Sequence, residues 1–183
     1  NWNLHSLAIP LDKQIPLIPW TIVIYFGCYI FWIIGYLYNA AMDKRHCYRF
    51  LMADWLAKAV CFICYVVYPT TNTRPEIVGS DIWAQLMRFL YSMDAADNLF
   101  PSIHCLVSWL CYIGIRGNKK VPQWIRTTFC ICAIAVFIST LTTKQHVIYD
   151  VVAGVALVEV TYRVSKLIVK KAVKKGKSNT EEA

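Results

Sequence analysis

A chain of 183 residues that is 57% hydrophobic and only 16% charged is too apolar for an ordinary soluble domain and far too apolar for a disordered one. It reads as a single membrane domain over residues 1–183, all-α, a polytopic transmembrane helix bundle of about five spans. The net charge of +8 would suit nucleic acid in a soluble protein. Here the excess lies beside apolar runs and in Lys170, Lys171, Lys174, Lys175 and Lys177, so anionic lipid headgroups are the expected counter-charge and no nucleic-acid partner is expected.

Residues 1–16 are mixed in character, and with Trp2 and then Trp20 where interfacial aromatics belong they are expected to lie along the membrane surface. The chain begins at Asn1 without an initiator methionine or a cleavable signal pattern, which leaves room for a segment upstream. Leu17–Tyr38 is apolar throughout and long enough for a hydrocarbon core about 30 Å thick. A polar loop carrying Asp43, Lys44, Arg45, His46 and Arg49 leads to the second span, Phe50–Tyr68, which Pro69 stops. In the long connection Thr70–Phe100, Asp81 or Ser80 can cap a short helix whose Ile82, Leu86, Phe89, Leu90 and Met93 form one face. This reads as an interfacial helix between spans two and three. Span three, Pro101–Ile115, is short and must tilt or be extended by the preceding turn. Span four is Trp124–Leu141; span five runs from about Val147 to Val169, ahead of a basic cytoplasmic tail over 170–183.

Eight cysteines fall mostly inside apolar runs, where a free thiol behaves as a small apolar side chain. Cys61-x-x-Cys64 copies a zinc or redox spacing but has no second ligand pair and lies in a predicted span, so it reads as packing. No metal and no cofactor are assigned. Lysines and arginines cluster after the odd-numbered spans, while the other side holds only Lys13, Arg74, Arg88 and Lys144. The positive-inside rule puts the first group in the cytoplasm. Arg74, the Pro-Ser-x-His turn and the loop before His146 then face outward from a multi-pass protein of the cell membrane.

Two stretches concentrate chemistry. Asn98-Leu99-Phe100-Pro101-Ser102-Ile103-His104 places a proline, a hydroxyl and an imidazole where an apolar helix begins, so free N–H groups and the positive helix end suit a phosphate. Alone it reads first as an ordinary helix start with an interfacial histidine, ahead of a catalytic site. His146 and Asp150, four apart at the outer end of span five, share one helix face, so the carboxylate can hold Nδ1–H and leave Nε2 as a nucleophile or base. An ionisable Asp150 in the membrane region is itself a functional signal.

Arg74-Pro75, Pro101-Ser102-Ile103-His104 and His146-Val147-Ile148-Tyr149-Asp150 occur in this order on one predicted side. They resemble the signatures of the type 2 phosphatidic acid phosphatase superfamily, K-x6-R-P, P-S-G-H and S-R-x5-H-x3-D. The resemblance covers about Tyr68 to Gly154 with its motifs. The chain departs at three places: the family's lysine falls on Val67, its glycine on Ile103, and its serine-arginine pair on Ser139-Thr140. Lys144 is either a replacement cation or a solvated interfacial lysine. Asp94, Asp97 and Asn98 are either supporting site residues, as in some bacterial members, or helix caps.

The resemblance implies a metal-independent lipid phosphatase: His146 attacks phosphorus, Asp150 orients its ring, His104 serves the leaving group, and Arg74, Ser102 and Lys144 hold the phosphate. The substrate is expected to be a lipid phosphate monoester or diphosphate, drawn from the surrounding membrane lipids. Two alternatives stand beside it, a headgroup phosphotransferase like the sphingolipid headgroup synthases and a catalytically inactive transporter or structural membrane protein. Away from the chemistry, depth along the helices predicts a clasp in which Lys58 meets Glu159 and Asp54 meets Arg163.

Overall fold

The computed structural model describes residues 4–181, with side chains through 172. Trp2 and the side chains of Lys174, Lys175 and Lys177, which figured in the sequence reading, lie outside the described residues. Among the described residues the protein is 72% helical, with seven α-helices. They are α1 (Pro10–Gln14), α2 (Ile22–Ala40), α3 (Lys44–Val67), α4 (Ile82–Met93), α5 (Ile103–Arg116), α6 (Gln123–Thr142) and α7 (Ile148–Glu181). Two short strands, β1 (His5–Ser6) and β2 (Thr70–Thr71), pair in parallel and add a small sheet to the expected all-helical fold.

Three segments, Pro19–Ala40, Lys44–Val67 and Gln123–Thr142, are long and apolar enough to cross a membrane. Their outward residues, among them Ile30, Ile33, Leu37, Trp55, Phe62, Ile131 and Ile138, are exposed. Such a perimeter suits lipid, while the interior is where Asn39, Asp54, Ser108, Thr140 and Asp150 are buried. Helix α5 is the axis of the bundle: nine of its residues, from Cys105 to Ile115, are buried, and α2, α3, α6 and α7 pack around it. A 14-residue helix is only about 21 Å long. Its central position lets it be short, because the surrounding helices separate it from lipid.

Several sequence expectations shift. Lys44–Arg49 is the first part of α3, not a loop, because the Asp43 carboxylate accepts from the His46 N–H at 2.9 Å and starts the helix there. Helix α4 is capped by Asp81, as one of the two expected residues, through the N–H groups of Trp83 and Ala84. Its buried residues are Ala84, Met87 and Leu90, whereas Ile82, Phe89 and Met93 of the expected face are exposed. The helix is apolar on two sides, and only one packs on Ile22 and Tyr25 of the bundle. Helix α7 runs through residue 170 without a break, so the basic segment begins as a continuation of the helix.

The predicted clasp does not form. Lys58 bonds Asp54 of its own helix at 2.8 Å, and Glu159 takes Arg116 at 2.7 and 3.1 Å, with Arg163 at 3.9 Å. Lys58 and Asp54 lie four apart on α3 and meet without bridging two helices, whereas Glu159 is taken chiefly by Arg116 at the end of α5, which ties α7 to α5 instead of to α3. The eight cysteines are free thiols, with Cys61 buried and Cys64 half-buried in α3.

Helices approach most closely at glycines. A Cβ on Gly154 would lie 2.6 Å from the Ser102 carbonyl oxygen, whereas one on Gly27 would meet nothing within 4 Å. Small residues at such crossings let backbones touch. Gly154→Ala is expected to cost about 1–3 kcal/mol through forced separation of α5 and α7. Gly27→Ala should be neutral or stabilising by up to about 1 kcal/mol through helix propensity. Thermal unfolding of both variants in detergent checks the contrast; equal midpoints would show that α5 and α7 are not in close contact.

Candidate active site

The site is assembled at the end of the bundle where α5 and α7 begin. Ser102 is the N-cap of α5, its hydroxyl accepting from the Cys105 N–H at 3.3 Å. The expected free N–H of Ser102 is already used, donated to the Asp150 carbonyl at 3.1 Å. That bond joins the first residues of the two helices, and it sets His104 in front of α7.

Asp150 is the third residue of α7 and almost wholly buried. Its Oδ2 accepts from the Val147 N–H at 3.0 Å and lies 3.2 Å from His146 Nδ1. One carboxylate oxygen thus caps the helix and holds the ring, and the positive helix end favours its charge. With Nδ1–H donated to the carboxylate, the neutral imidazole carries its lone pair on Nε2. The His104 ring centroid is 5.7 Å from that of His146. His104 is walled by Tyr25, Trp32 and Tyr29, at centroid distances of 4.6, 5.4 and 6.2 Å, and its buried Nε2 has no hydrogen-bond partner.

His146 fronts an open cavity of about 560 Å³ that is also lined by Arg74, Lys144, Lys13, Asp12 and Asn72. Arg74 is half-buried and donates to the carbonyls of Asp94 at 2.5 Å and Ala95 at 3.2 Å and to Gln145 Oε1, with Tyr91 beneath it at 4.7 Å. Burial pushes the guanidinium pKa down, against the pull of Asp94. Its Nε is buried and unpartnered, as are Gln145 Nε2 and Asp150 Oδ1. Arg74 Nε and Gln145 Nε2 are donors that an anion would satisfy, whereas Asp150 Oδ1 is an acceptor, which an anion would not.

The remaining expected residues serve the scaffold. Lys144, in a left-handed conformation at φ 58, donates its ammonium to the carbonyls of Asp12, at 3.0 Å, and Ile15. Burial lowers its pKa and Asp12 opposes the shift. Ser139 and Thr140 are fully buried and their hydroxyls bond Val136 and Phe137 carbonyls; the Thr140 carbonyl accepts from the N–H groups of Gln145 and His146. Asp94 accepts from Tyr25 Oη at 2.7 Å. Asp97 bridges Thr71, and Asn98, at φ 53, makes a turn; both are exposed. Among the described residues no group of three His, Cys, Asp or Glu side chains is placed to hold a metal ion.

Sequence reasoning missed Gln145, the aromatic wall and Asp12. Buried Asp12 accepts from the α7 N–H of Ile148 at 2.8 Å through Oδ1 and from Ile9 at 2.8 Å through Oδ2. Pro10 followed by Asp12 signals a local helix start, but nothing in that signal points to residue 148.

A mostly helical bundle with membrane-length apolar helices is the architecture of a membrane-type protein, and its histidine–aspartate couple lies at one end. The family model described as the PAP2 superfamily matches residues 4–164, and the chain belongs to that superfamily. Membership points to a phosphatase or phosphotransferase. No curated protein and no solved structure matches the chain.

Removing the Asp12 carboxylate strips two N–H groups of their acceptor. Asp12→Ala is expected to destabilise by about 1–2 kcal/mol, as loss of a helix cap does, and to speed limited proteolysis between Leu4 and Pro16. Unchanged proteolysis would show that α7 does not depend on this cap.

Proposed function

We propose that the protein is an integral membrane lipid phosphatase that hydrolyses a lipid phosphate monoester or diphosphate at the extracytoplasmic face. The observation that carries this reading is the approach of the two imidazoles to 5.7 Å, one held by a buried carboxylate. His146 Nε2 attacks phosphorus as the bond to the lipid oxygen breaks, and His104, protonated, gives its proton to the leaving alkoxide. A water then attacks the phosphohistidine, losing its proton to His104, and inorganic phosphate leaves as the P–N bond breaks. Arg74 and Gln145 stabilise the equatorial oxygens, where charge concentrates in phosphoryl transfer. Ser102 and Asp150 position the two helices, and Lys144 contributes its charge to the mouth of the cavity. No metal is needed for these steps. In this reading α5 and the first part of α7 complete five spans, and the charge bias places the site outside.

A second reading, transfer of the phosphate-containing headgroup to an alcohol or lipid hydroxyl, is favoured by the aromatic wall of Tyr25, Tyr29 and Trp32, which shields His104 from water. Incubation with ³²P-labelled short-chain lipid phosphates, with and without acceptor lipids, separates the two. Label trapped on His146 and released as inorganic phosphate, undiminished by a chelator, is the expected result; label passing only to the acceptor lipid would establish the transferase. His146→Ala should lower turnover roughly a thousandfold or more. Turnover equal to that of the unaltered protein would overturn both readings.

A further inference from the structure

A second cavity, of about 600 Å³, opens at the opposite end of the bundle, where α3 begins and α5 ends. Its Arg116 is 12 residues along α5 from His104, about 18 Å by helical rise. Six cationic side chains line it, Arg45, Arg49, Arg116, Lys119, Lys166 and Lys170, against one carboxylate, Asp43. That carboxylate faces the α3 backbone as its cap. Arg116 is paired with Glu159; among the described residues the other five have no carboxylate partner.

Arg49 is held rigidly in this wall. Its Nη2 donates to Tyr162 Oη at 2.6 Å and to His46 Nδ1 at 3.1 Å, and the guanidinium lies 4.9 Å over the Tyr162 ring. The chain of bonds continues inward and fixes the tautomer. Asn39 gives its amide hydrogens to the carbonyls of Gly35 and Cys111, so its Oδ1 accepts from His46 Nε2–H at 3.0 Å and His46 Nδ1 is left to accept from Arg49. Arg49 Nε, buried, has no partner in the protein. A preorganised cation with an unused donor, beside four cations without a carboxylate partner among the described residues, suits a phosphate group.

Beside this cavity an apolar groove of about 550 Å³ runs between the outer faces of α3 and α7, lined by Tyr48, Leu51, Met52, Trp55, Ile168 and Val169. Val169 lines both spaces. A soluble phosphate would use only the first, and a zwitterionic headgroup would set its own cation against this charge. We propose that the two together bind one anionic phospholipid, its phosphate among Arg49, Lys166 and Lys170 and an acyl chain along the groove. The site is separate from the histidine chemistry and does not depend on it.

Trp55, 75% exposed in the groove, supplies the probe. The full chain is placed in phosphatidylcholine nanodiscs containing a few mole per cent of phosphatidylglycerol with brominated acyl chains, and the quenching specific to Trp55 is isolated by subtracting a Trp55→Phe variant. Expected is saturable quenching by brominated phosphatidylglycerol and none beyond collision by brominated phosphatidylcholine at the same fraction. Lys166→Gln/Lys170→Gln, both exposed positions, should weaken half-saturation roughly thirtyfold, the loss of two headgroup attractions. Glycerol phosphate in millimolar excess should not displace the lipid. Equal quenching by both lipids, an unaltered half-saturation in the double variant with its helical content intact, or full displacement by glycerol phosphate would each overturn the proposal. Arg49→Gln, read the same way, should weaken retention further.

Discussion

The close start of α5 against α7 is the constraint on which the rest of the structure depends. The Ser102 N–H reaches the Asp150 carbonyl at 3.1 Å only because Gly154, one turn further on, leaves room for the Ser102 carbonyl. His104 stands two residues beyond Ser102, and His146 stands four before Asp150. Two imidazoles from segments more than forty residues apart therefore share one frame. His104 is carried by α5, whereas His146 lies in the α6–α7 connection just before α7, not on the expected helix face, and is fixed there by its N–H bond to the Thr140 carbonyl and its ring contact with Asp150.

Around that crossing, the segments outside the helices act as a mutual cover. In a lipid environment each backbone group needs a partner from the chain itself, and here the partners are specific. The Ile18 N–H bonds the Thr142 carbonyl, Asn72 Nδ2 the Lys144 carbonyl, and Tyr91 Oη the Thr143 carbonyl. Thr70 Oγ1 accepts from the N–H groups of Leu99 and Phe100. The N-terminal segment, the connection from β2 to α5 and the α6–α7 turn are thus tied together over the site. Arg74 and Lys144 serve both purposes, each binding backbone carbonyls while keeping its charge at the cavity.

What was legible in the sequence was local or periodic. The apolar runs, the Asp81 cap, the Ser102 helix start and the i,i+4 relation of His146 to Asp150 all follow from neighbours within one or two turns. The partners of Arg74 and His104 were not legible, because Gln145, Tyr25 and Trp32 meet them only after the helices pack. Asp12 and Ile148 are 136 residues apart, and no spacing rule connects them. The buried face of α4 was misjudged since an apolar pattern does not say which of two apolar sides meets protein. The Lys58–Glu159 clasp failed because matching depth allows contact but does not choose the partner: Lys58 meets the nearer Asp54 of its own helix at lower entropic cost, and Glu159 meets Arg116 of α5.

The departures from the family's cation pattern have a structural basis. Thr140, where the family carries arginine, is fully buried beside Cys105, and its carbonyl anchors the N–H groups of both Gln145 and His146. A guanidinium at that position would require a cavity in the packing of α5 against α6. Val67, where the family carries lysine, is 75% exposed at the end of α3, on the apolar perimeter. Neither position lines the cavity that His146 fronts. Arg74, bound to Gln145 directly before the His146 ring, and Lys144 are cations that remain at the cavity. On the proposed reading as a lipid phosphatase, fewer cations to hold a free, highly charged phosphate would shift binding toward the apolar part of the substrate, for which the bundle's apolar perimeter offers room.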